Sequence, residues 1–207
     1  MSVKWMKLLQ IGDIHCSLKN LKRLLELRDE LEYEIAIVHG DLECDGEIVD
    51  LLEKLSDKIL FVPGNMDDVG LIKIFTEKSY NIDSKLVKLG EYYFLGIGGQ
   101  NFYSSYTYAL KKLEEMKEKR NLVIVSHHPP ITQNTDVSFG GIHIGLPELT
   151  EIDEKYSPLA HLHGHVHESP GIDYIGDTLV VNAGSLMHGN FAIVDIKNRK
   201  AEIKKIV

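Results

Sequence analysis

The chain has 207 residues, 43% of them hydrophobic and 26% charged, and its formal net charge is −8. This composition is typical of a globular protein, and the length suits one α/β domain spanning residues 1–207. The negative charge disfavours a nucleic-acid surface, because phosphate neutralisation requires clustered lysine and arginine. No segment approaches the roughly 20 apolar residues of a membrane span.

The chain shows no secretion pattern and few cysteines. Its first ten residues lack the apolar core and cleavage site of a signal peptide. Two cysteines, Cys16 and Cys44, are too few for a disulfide framework. We therefore expect a cytoplasmic protein in which both cysteines are inert small side chains.

Strands and helices alternate in the first part of the chain. The hydrophobic pattern predicts strands at residues 7–11, 35–38 and 59–62. It predicts helices at residues 17–32, with Ser17 as the N-cap, and 47–55. This alternation indicates a parallel sheet with right-handed crossovers.

The pattern then changes to hairpins around one helix. Gly90-Glu91 separates two short apolar runs and predicts a β-hairpin. Residues 132–149 read as a long loop, and loops of that length are often functional. We expect a mixed sheet, or two sheets, with helices outside. The other predictions are a helix at 106–120 and strands at 122–125, 173–175, 179–181, 191–195 and 200–206.

Residues 158–168 contain four of the ten histidines, at positions 161, 163, 165 and 167. Neutral imidazole is the commonest protein ligand for metal ions. A buried imidazole needs partners for both ring nitrogens, so four of them are unusual in a core. Gly164 would allow a tight turn between His163 and His165. The alternative is a histidine-rich surface loop.

Side chains that can bind metal follow most of the predicted strands. Asp13 and His15 follow the first strand, Asp41 the second, Asn65 the third and His127 the strand at 122–125. Ligands of open α/β sheets bind at the carboxyl ends of the strands. Side chains two residues apart just past a strand end can reach one ion. The joint pattern therefore predicts a metal site.

Each motif also has an ordinary structural explanation. Asp13 and Asp41, each preceded by glycine, could be helix caps or turn formers. Asn65 could lie in a plain left-handed turn, and His127 and His128 could be turn residues before two prolines. The metal-site interpretation depends on all of the motifs together.

The order of these motifs resembles that of a known family. Asp13-x-His15, Gly40-Asp41, Gly64-Asn65, His127 and Gly164-His165-x-His167 resemble, in order, the five motifs of the calcineurin-like metallophosphoesterases. Gly141-x-His143-x-Gly145 and Asn182-x-Gly184-Ser185 are similar to the branch of phosphoesterases related to cyclic-nucleotide phosphodiesterases. The resemblance implies a four-layer α/β/β/α sandwich with two mixed β-sheets.

The resemblance also implies a ligand set for two divalent transition-metal ions. One ion would be held by Asp13, His15, Asp41 and His167, and the other by Asp41, Asn65, His127 and His165. Mixed oxygen and imidazole donors suit manganese, our first choice, or iron, zinc, nickel or cobalt better than calcium or magnesium alone. Two ions ~3.5–4 Å apart can hold a bridging hydroxide for in-line attack on phosphorus. Asp41 would be the bridging, catalytic ligand, and Asn65 would also contact substrate.

One position departs from the family pattern. Many members have a histidine after the metal-binding asparagine as an acid for the leaving group, but here the residue is Met66, which cannot donate a proton. His143, on the long loop, is our candidate for binding phosphate and supplying that proton; the alternative is a solvated loop histidine. No Ser-His-Asp or Cys-His arrangement stands out. Candidates to orient the ligand imidazoles are His39, Glu43, Asp67 and His163.

The expected function is hydrolysis of a small phosphate ester, with diesters favoured over monoesters. The alternatives are a phosphomonoesterase of the same fold, a nuclease of the same superfamily and a non-catalytic metal-binding scaffold. The net charge of −8 weighs against the nuclease. We expect no membrane partner and leave homo-oligomerisation open.

Overall fold

Two mixed β-sheets pack face to face, with an apolar core between them. The structure, a computed structural model, describes residues 6–44, 46–117 and 119–206. The first sheet has five strands, in the spatial order β13 (Lys200–Lys205), β12 (Asn190–Asp195), β1 (Lys7–Ile11), β2 (Ile35–Val38) and β3 (Ile59–Phe61). Strands β1, β2 and β3 are parallel, whereas β12 and β13 run antiparallel at one side.

The second sheet has six strands and a parallel centre. Their order is β10 (Gly171–Ile175), β11 (Thr178–Asn182), β9 (Ala160–His163), β6 (Leu122–Ser126), β5 (Tyr92–Ile97) and β4 (Leu86–Leu89). The four central strands are parallel and the two edge strands are antiparallel. Each sheet therefore presents the carboxyl ends of its parallel strands together.

In the described residues, five helices cover the outer faces of the sheets. The helices α1 (Leu18–Glu26), α2 (Gly46–Leu55) and α3 (Val69–Glu77) pack on the first sheet, and α4 (Phe102–Glu115) and α5 (Pro147–Tyr156) pack on the second. Neighbouring residues of β1 point to opposite faces: Leu8 lies between the sheets and Leu9 lies under the helices. The predicted α/β/β/α sandwich is confirmed.

The predicted strands agree with the structure to within two residues, but two helix predictions were misplaced. The first helix ends at Glu26, before a 3-10 turn over Arg28–Glu30, and the Ser17 side chain makes no capping hydrogen bond. The helix predicted at 106–120 spans Phe102–Glu115 instead. It starts earlier because the Phe102 ring stacks on Tyr106, with 5.8 Å between ring centroids. Phe102 also packs on the apolar cluster between the second sheet and its helices.

Sequence reasoning missed two helices and a hairpin. Asp68 caps α3 by accepting the Leu71 N–H at 3.0 Å, and Pro147 begins α5, a position that proline favours. The segment predicted as a loop over 132–149 contains a short hairpin, β7 (Val137–Ser138) and β8 (Ile142–His143), and the first turn of α5. Both helices are short, at 9 and 10 residues, so they span few turns of apolar periodicity.

The helices are also short relative to a bilayer. The longest described helix, α4, has 14 residues. In the part of the chain that the structure describes, no helix is long and apolar enough to cross a membrane. The cytoplasmic location stays a prediction.

The prediction of two inert cysteines was wrong. Cys16 and Cys44 form a disulfide that joins the loop after β1 to the loop after β2. Sequence reasoning missed the bond because the residues are 28 positions apart and meet only where the two strands end side by side. Cys44 is buried, whereas Cys16 is exposed to solvent.

Candidate metal centre

The seven predicted metal ligands meet where the carboxyl ends of the two sheets adjoin. Three overlapping clusters form, and within each cluster the candidate ligand atoms lie within 4.8 Å of one another. The clusters are Asp13, His15 and His167; Asp13, Asp41 and His127; and His127, His128 and His165. The seventh candidate, Asn65, places Oδ1 2.8 Å from His127 Nε2.

In the first cluster two imidazoles face a carboxylate. His15 Nε2 lies 3.2 Å from His167 Nε2, which is 3.3 Å from Asp13 Oδ1. His15 Nδ1 donates to Glu43 Oε2 at 3.0 Å, which leaves the Nε2 lone pair pointing into the cluster. Glu43 therefore orients a ligand, as the sequence suggested.

Two side-chain oxygens and one imidazole nitrogen converge on His127 Nε2. His127 Nδ1 donates to the His39 carbonyl at 2.7 Å, so in the neutral ring Nε2 carries a lone pair. This Nε2 faces Asn65 Oδ1 at 2.8 Å, His165 Nδ1 at 3.1 Å and Asp41 Oδ2 at 3.5 Å. Lone pairs pointed at one another need a cation between them.

Asp13 shows the same need for a cation. Its Oδ1 is buried and makes no hydrogen bond, and burying a carboxylate oxygen without a partner is costly. The donors present are carboxylate, amide oxygen and imidazole, which together suit divalent transition metals. The residues in place therefore fit metal ions.

Four of the ligands have left-handed backbone conformations. The φ angles are 46° at Asp13, 43° at His15, 52° at Asp41 and 71° at His165. Such angles cost energy for residues other than glycine and concentrate at functional sites. Hydrogen bonds between the loops hold them, since the Asp41 carbonyl accepts the N–H groups of both Ile14 and His15.

His39 fills the space between two ligand loops. A Cβ atom on Gly12 would lie 2.0 Å from His39 Nδ1, and one on Gly164 would lie 2.1 Å from it. Glycine at position 164 is therefore required by this close approach, whereas the left-handed turn falls on His165. His39 Nδ1 also lies 3.4 Å from Asp13 Oδ2.

Burial keeps several imidazoles of the site neutral. It lowers the pKa of His39 and of His165 to about 4, and the pKa of His128 to about 3. The neighbouring His127 lowers the pKa of all three further. Neutral imidazole is the form that binds metal, so the clustered rings of His128 and His165 are in that form near pH 7.

The pKa of Asp13 is lowered from its ordinary value, whereas the pKa values of Asp41 and His167 are raised. Burial alone would raise the pKa of Asp13, but the facing imidazole of His167, 3.3 Å from Oδ1, and the nearby His39 bring it well below its ordinary value. The Asp13 carboxylate in turn raises the pKa of His167. Burial raises the pKa of Asp41, against the opposing effect of His127. In the described residues the basic side chains within ion-pair distance of both carboxylates are all imidazoles.

Two further histidines lie at the site. His128, expected to support the ligands or to be loop structure, joins the cluster of His127 and His165, and its ring centroid is 4.5 Å from that of His165. His188, which sequence reasoning missed, has its ring centroid 5.9 Å from that of His167. Its only signal was its position just after the Asn182-x-Gly184-Ser185 motif.

A Ser-His-Asp arrangement exists, although the sequence did not reveal it. Ser126 Oγ lies 2.8 Å from His161 Nε2, and His161 Nδ1 lies 2.6 Å from Asp153 Oδ2. All three residues are buried, and the Ser126 hydroxyl donates to the His128 carbonyl at 2.5 Å. This network supports the backbone beside His127 and offers no accessible nucleophile.

The remaining residues that the sequence singled out, as supports for the ligands or as the proton donor, lie outside the three ligand clusters. His163 bonds Thr135 Oγ1 at 3.2 Å, so it anchors a loop and orients no ligand. Asp67 binds backbone N–H groups and also orients no imidazole. His143 is held by Asp136, and 48% of its side chain is exposed. Met66 is 55% exposed.

Relatives of the chain share its sequence or its fold. Uncharacterized protein MJ1162 of Methanocaldococcus jannaschii is 32% identical over 197 residues, which cover 87% of this chain and 88% of the relative. TT1561 of Thermus thermophilus matches with a TM-score of 0.77 at 17% identity, over 99% of this chain and all of that one. A structure described as a novel archaeal phosphodiesterase matches with a TM-score of 0.61 at 14% identity, over 97% of this chain and 99% of that one.

These structural matches, at low identity, show the fold. The family model described as "Metallophosphoesterase, calcineurin superfamily" matches residues 41–206, which is most of the chain. That range includes Asp41, Asn65, His127, His165 and His167. The chain therefore belongs to the calcineurin superfamily of metallophosphoesterases.

Proposed function

We propose that the chain hydrolyses phosphate esters with the help of two divalent transition-metal ions, manganese first, and that it prefers diesters to monoesters. The observation that carries this proposal is the convergence of acceptors on His127 Nε2 from three other strand ends. Such a convergence has little structural use without a cation. We further propose that the protein works in the cytoplasm.

The ligand assignment follows the clusters. Asp13, His15 and His167 would hold one ion; Asn65, His127 and His165 would hold the other; and Asp41 would contact both. When bound, the ions would polarise the phosphate oxygens and acidify a water molecule. The Asn65 amide presents its oxygen to the cluster, which leaves its N–H₂ group to donate to a phosphate oxygen.

The charge of the site supports a diester substrate. In the described residues, Asp13 and Asp41 have imidazoles and no lysine or arginine within ion-pair distance. A phosphodiester carries one negative charge, whereas a monoester carries nearly two near neutral pH. A site without added cationic side chains suits the less charged ester. The resemblance of residues 141–145 to the phosphodiesterase-related branch agrees with this.

The leaving group needs a proton source other than position 66. Met66 is exposed at the site loop, where its backbone N–H donates to Asp41 Oδ1 at 2.8 Å, but its thioether cannot donate a proton. We assign the proton donation, and a contact to phosphate, to His143. An aryl oxide leaves without protonation, whereas an alkoxide does not.

The test combines metal analysis with ester hydrolysis. The protein is stripped with a chelator, reloaded with Mn²⁺, and assayed on aryl monoesters and aryl diesters. We expect about two ions per chain, activity that returns with metal, and faster diester cleavage. Asp41→Asn should abolish this activity, whereas Asp50→Asn, the same change on the exposed side of α2, should not.

Three results would contradict the proposal. Faster cleavage of monoesters would assign the alternative phosphomonoesterase activity. Full metal loading without hydrolysis of any ester would indicate a non-catalytic scaffold. Normal turnover by Asp41→Asn with two bound ions would remove Asp41 from the site.

A further inference from the structure

The segment 131–145 stands at the carboxyl end of β6, beside the metal ligands. Its two ends meet at a bridge between Pro130 and Leu146, and the Leu146 N–H donates to the Pro129 carbonyl at 2.9 Å. Gly145 packs against the bridge between Pro130 and Leu146, since a Cβ atom on Gly145 would lie 2.4 Å from the Pro130 carbonyl oxygen. The segment therefore leaves the sheet only three residues after His127 and returns to the same point.

A second set of bonds ties the segment to the loop of His165 and His167. The Asn182 side-chain amide donates to the Thr135 carbonyl at 3.1 Å and to the Val166 carbonyl at 2.8 Å. Val166 is the residue between the two ligands. The Ser169 hydroxyl donates to the Val137 carbonyl, and Val137 pairs with His143 across the hairpin. The strand that pairs with His143 is thereby tied to the end of the ligand loop.

A fully buried carboxylate sets the direction of the His143 ring. Asp136 Oδ1 accepts from His143 Nδ1 at 2.9 Å and from Thr132 Oγ1 at 3.0 Å, and Oδ2 accepts the Gly145 N–H at 3.2 Å. Asp136 is 0% exposed, whereas the His143 side chain is 48% exposed. With Nδ1–H committed to the carboxylate, Nε2 is on the open side of the ring.

We propose that Asp136 is a positioning residue, which accepts the Nδ1–H of His143 and so fixes the ring with Nε2 as the nitrogen that, once protonated, donates to the leaving oxygen. The proposal rests on the proposed function. Protonated His143 gives its Nε2 proton to the leaving oxygen as the P–O bond breaks, and that oxygen takes the bonding electron pair. The attacking water supplies the oxygen of the new P–O bond and releases its proton to solvent. His143 then regains a proton from solvent.

The kinetic test compares an alkyl diester with an aryl diester in the metal-loaded protein. Asp136→Asn and His143→Ala should each lower kcat on the alkyl ester by on the order of 10–100-fold, leave the aryl ester within about 3-fold, and change KM little. The double variant should lose no more than His143→Ala alone, because Asp136 acts through His143.

The matched control is Asp173→Asn. Asp173 accepts the N–H groups of Gln133 and Asn134 at 2.9 and 2.8 Å, so it anchors the same segment without touching His143. For Asp173→Asn we expect the ratio of kcat on the alkyl diester to kcat on the aryl diester to equal the wild-type ratio. Nitrogen NMR of the imidazole should show His143 protonated on Nδ1 in the wild type and in the control, and a changed tautomer in Asp136→Asn.

The outcomes separate this proposal from the function it rests on. If the metal-loaded wild type cleaves neither ester, both the proposed function and the proposed role of Asp136 are overturned. If the wild type is active but Asp136→Asn slows both esters equally, only the positioning role is overturned. An unchanged tautomer in Asp136→Asn, or additive losses in the double variant, would also overturn it.

Discussion

The Asp67 carboxylate accepts the backbone N–H of Asp41, with Oδ2 3.0 Å from the amide nitrogen. The same carboxylate accepts the N–H groups of Leu42 at 2.7 Å and Gly64 at 2.8 Å. Asp67 is 2% exposed, so these bonds form out of water. One side chain thus joins the loop after β2 to the loop after β3, and each loop carries a metal ligand.

Replacement of Asp67 should destabilise the protein strongly. Asp67→Ala leaves three buried N–H groups without acceptors, and we expect the free energy of unfolding to fall by about 3 kcal/mol or more. Urea denaturation of the metal-free protein measures this. Asp68→Ala is the control, because it removes only the cap of α3 and should cost about 1 kcal/mol. Equal losses would show that Asp67 is not the stronger anchor.

Reduction of the disulfide should weaken the fold and the first metal cluster. The bond closes a loop between residues 28 positions apart, for which chain entropy predicts roughly 3–4 kcal/mol of stability. Cys16 follows His15 and Cys44 follows Glu43, the pair joined by a 3.0 Å hydrogen bond. We therefore expect a dithiol to lower both the melting temperature and the metal affinity.

The control for reduction is the double variant Cys16→Ser, Cys44→Ser, which lacks the bond. It should melt at the temperature of the reduced wild type and show no further change with dithiol. Full metal affinity after complete reduction would mean that the disulfide supports the fold and not the ligands.

Removal of the Ser126 hydroxyl should affect stability and not the chemistry. Ser126→Ala leaves the His128 carbonyl and the buried His161 ring each without one partner, and we expect a loss of about 1–3 kcal/mol. Metal-dependent turnover should stay within about 3-fold of the wild type. A serine-directed phosphonate should not label the protein. Stoichiometric labelling at Ser126 would instead assign a nucleophile to the buried triad.

The metal-free protein should lose stability as the pH falls. Burial holds the pKa of His39 at about 4, below its ordinary 6.5, so the unfolded chain binds a proton that the folded chain excludes. The contribution of His39 is complete above pH 6.5 and is lost as the pH falls toward 4, at about 1.4 kcal/mol per pH unit. His165 acts in the same direction, whereas the raised pKa of His167 opposes it.

The test of this pH dependence is His39→Phe, which keeps a ring between Gly12 and Gly164 and removes the titrating group. Denaturation curves between pH 4 and 7 in the presence of a chelator should show a smaller loss of stability for the variant. A slope equal to that of the wild type would mean that His39 does not titrate on unfolding.

The sequence predicted the sheets well because their signals are local. Short apolar runs between turn residues gave β1 and β2 at the observed bounds, and the ligands follow these strands directly. The order of the motifs along the chain was enough to predict that they meet, since parallel strands bring their carboxyl ends to one edge. Periodicity therefore predicted the strands and the strand ends at which the candidate ligands lie, whereas the sandwich fold and the ligand set followed from the family resemblance.

The features that sequence reasoning missed depend on contacts between distant segments. The partner of Cys16 lies 28 residues away, and Ser126 meets Asp153 only through His161. His188 reaches the site because its 3-10 turn hydrogen-bonds to the loop of Asp13, with the Met187 N–H 3.2 Å from the Asp13 carbonyl. Such pairings come from the stacking of the two sheets, which no window of sequence encodes.

The division of the ligands between the sheets has a consequence for how the protein endures heat. Asp13, His15, Asp41 and Asn65 follow strands of the first sheet, whereas His127, His165 and His167 follow strands of the second. Ions bound by ligands from both sheets would link the two sheets of the sandwich as well as serve the reaction. By mass action, free ion at 100 times its dissociation constant adds about 2.7 kcal/mol to the folded state. The thermal tolerance of the protein would then follow the metal supply of the cell.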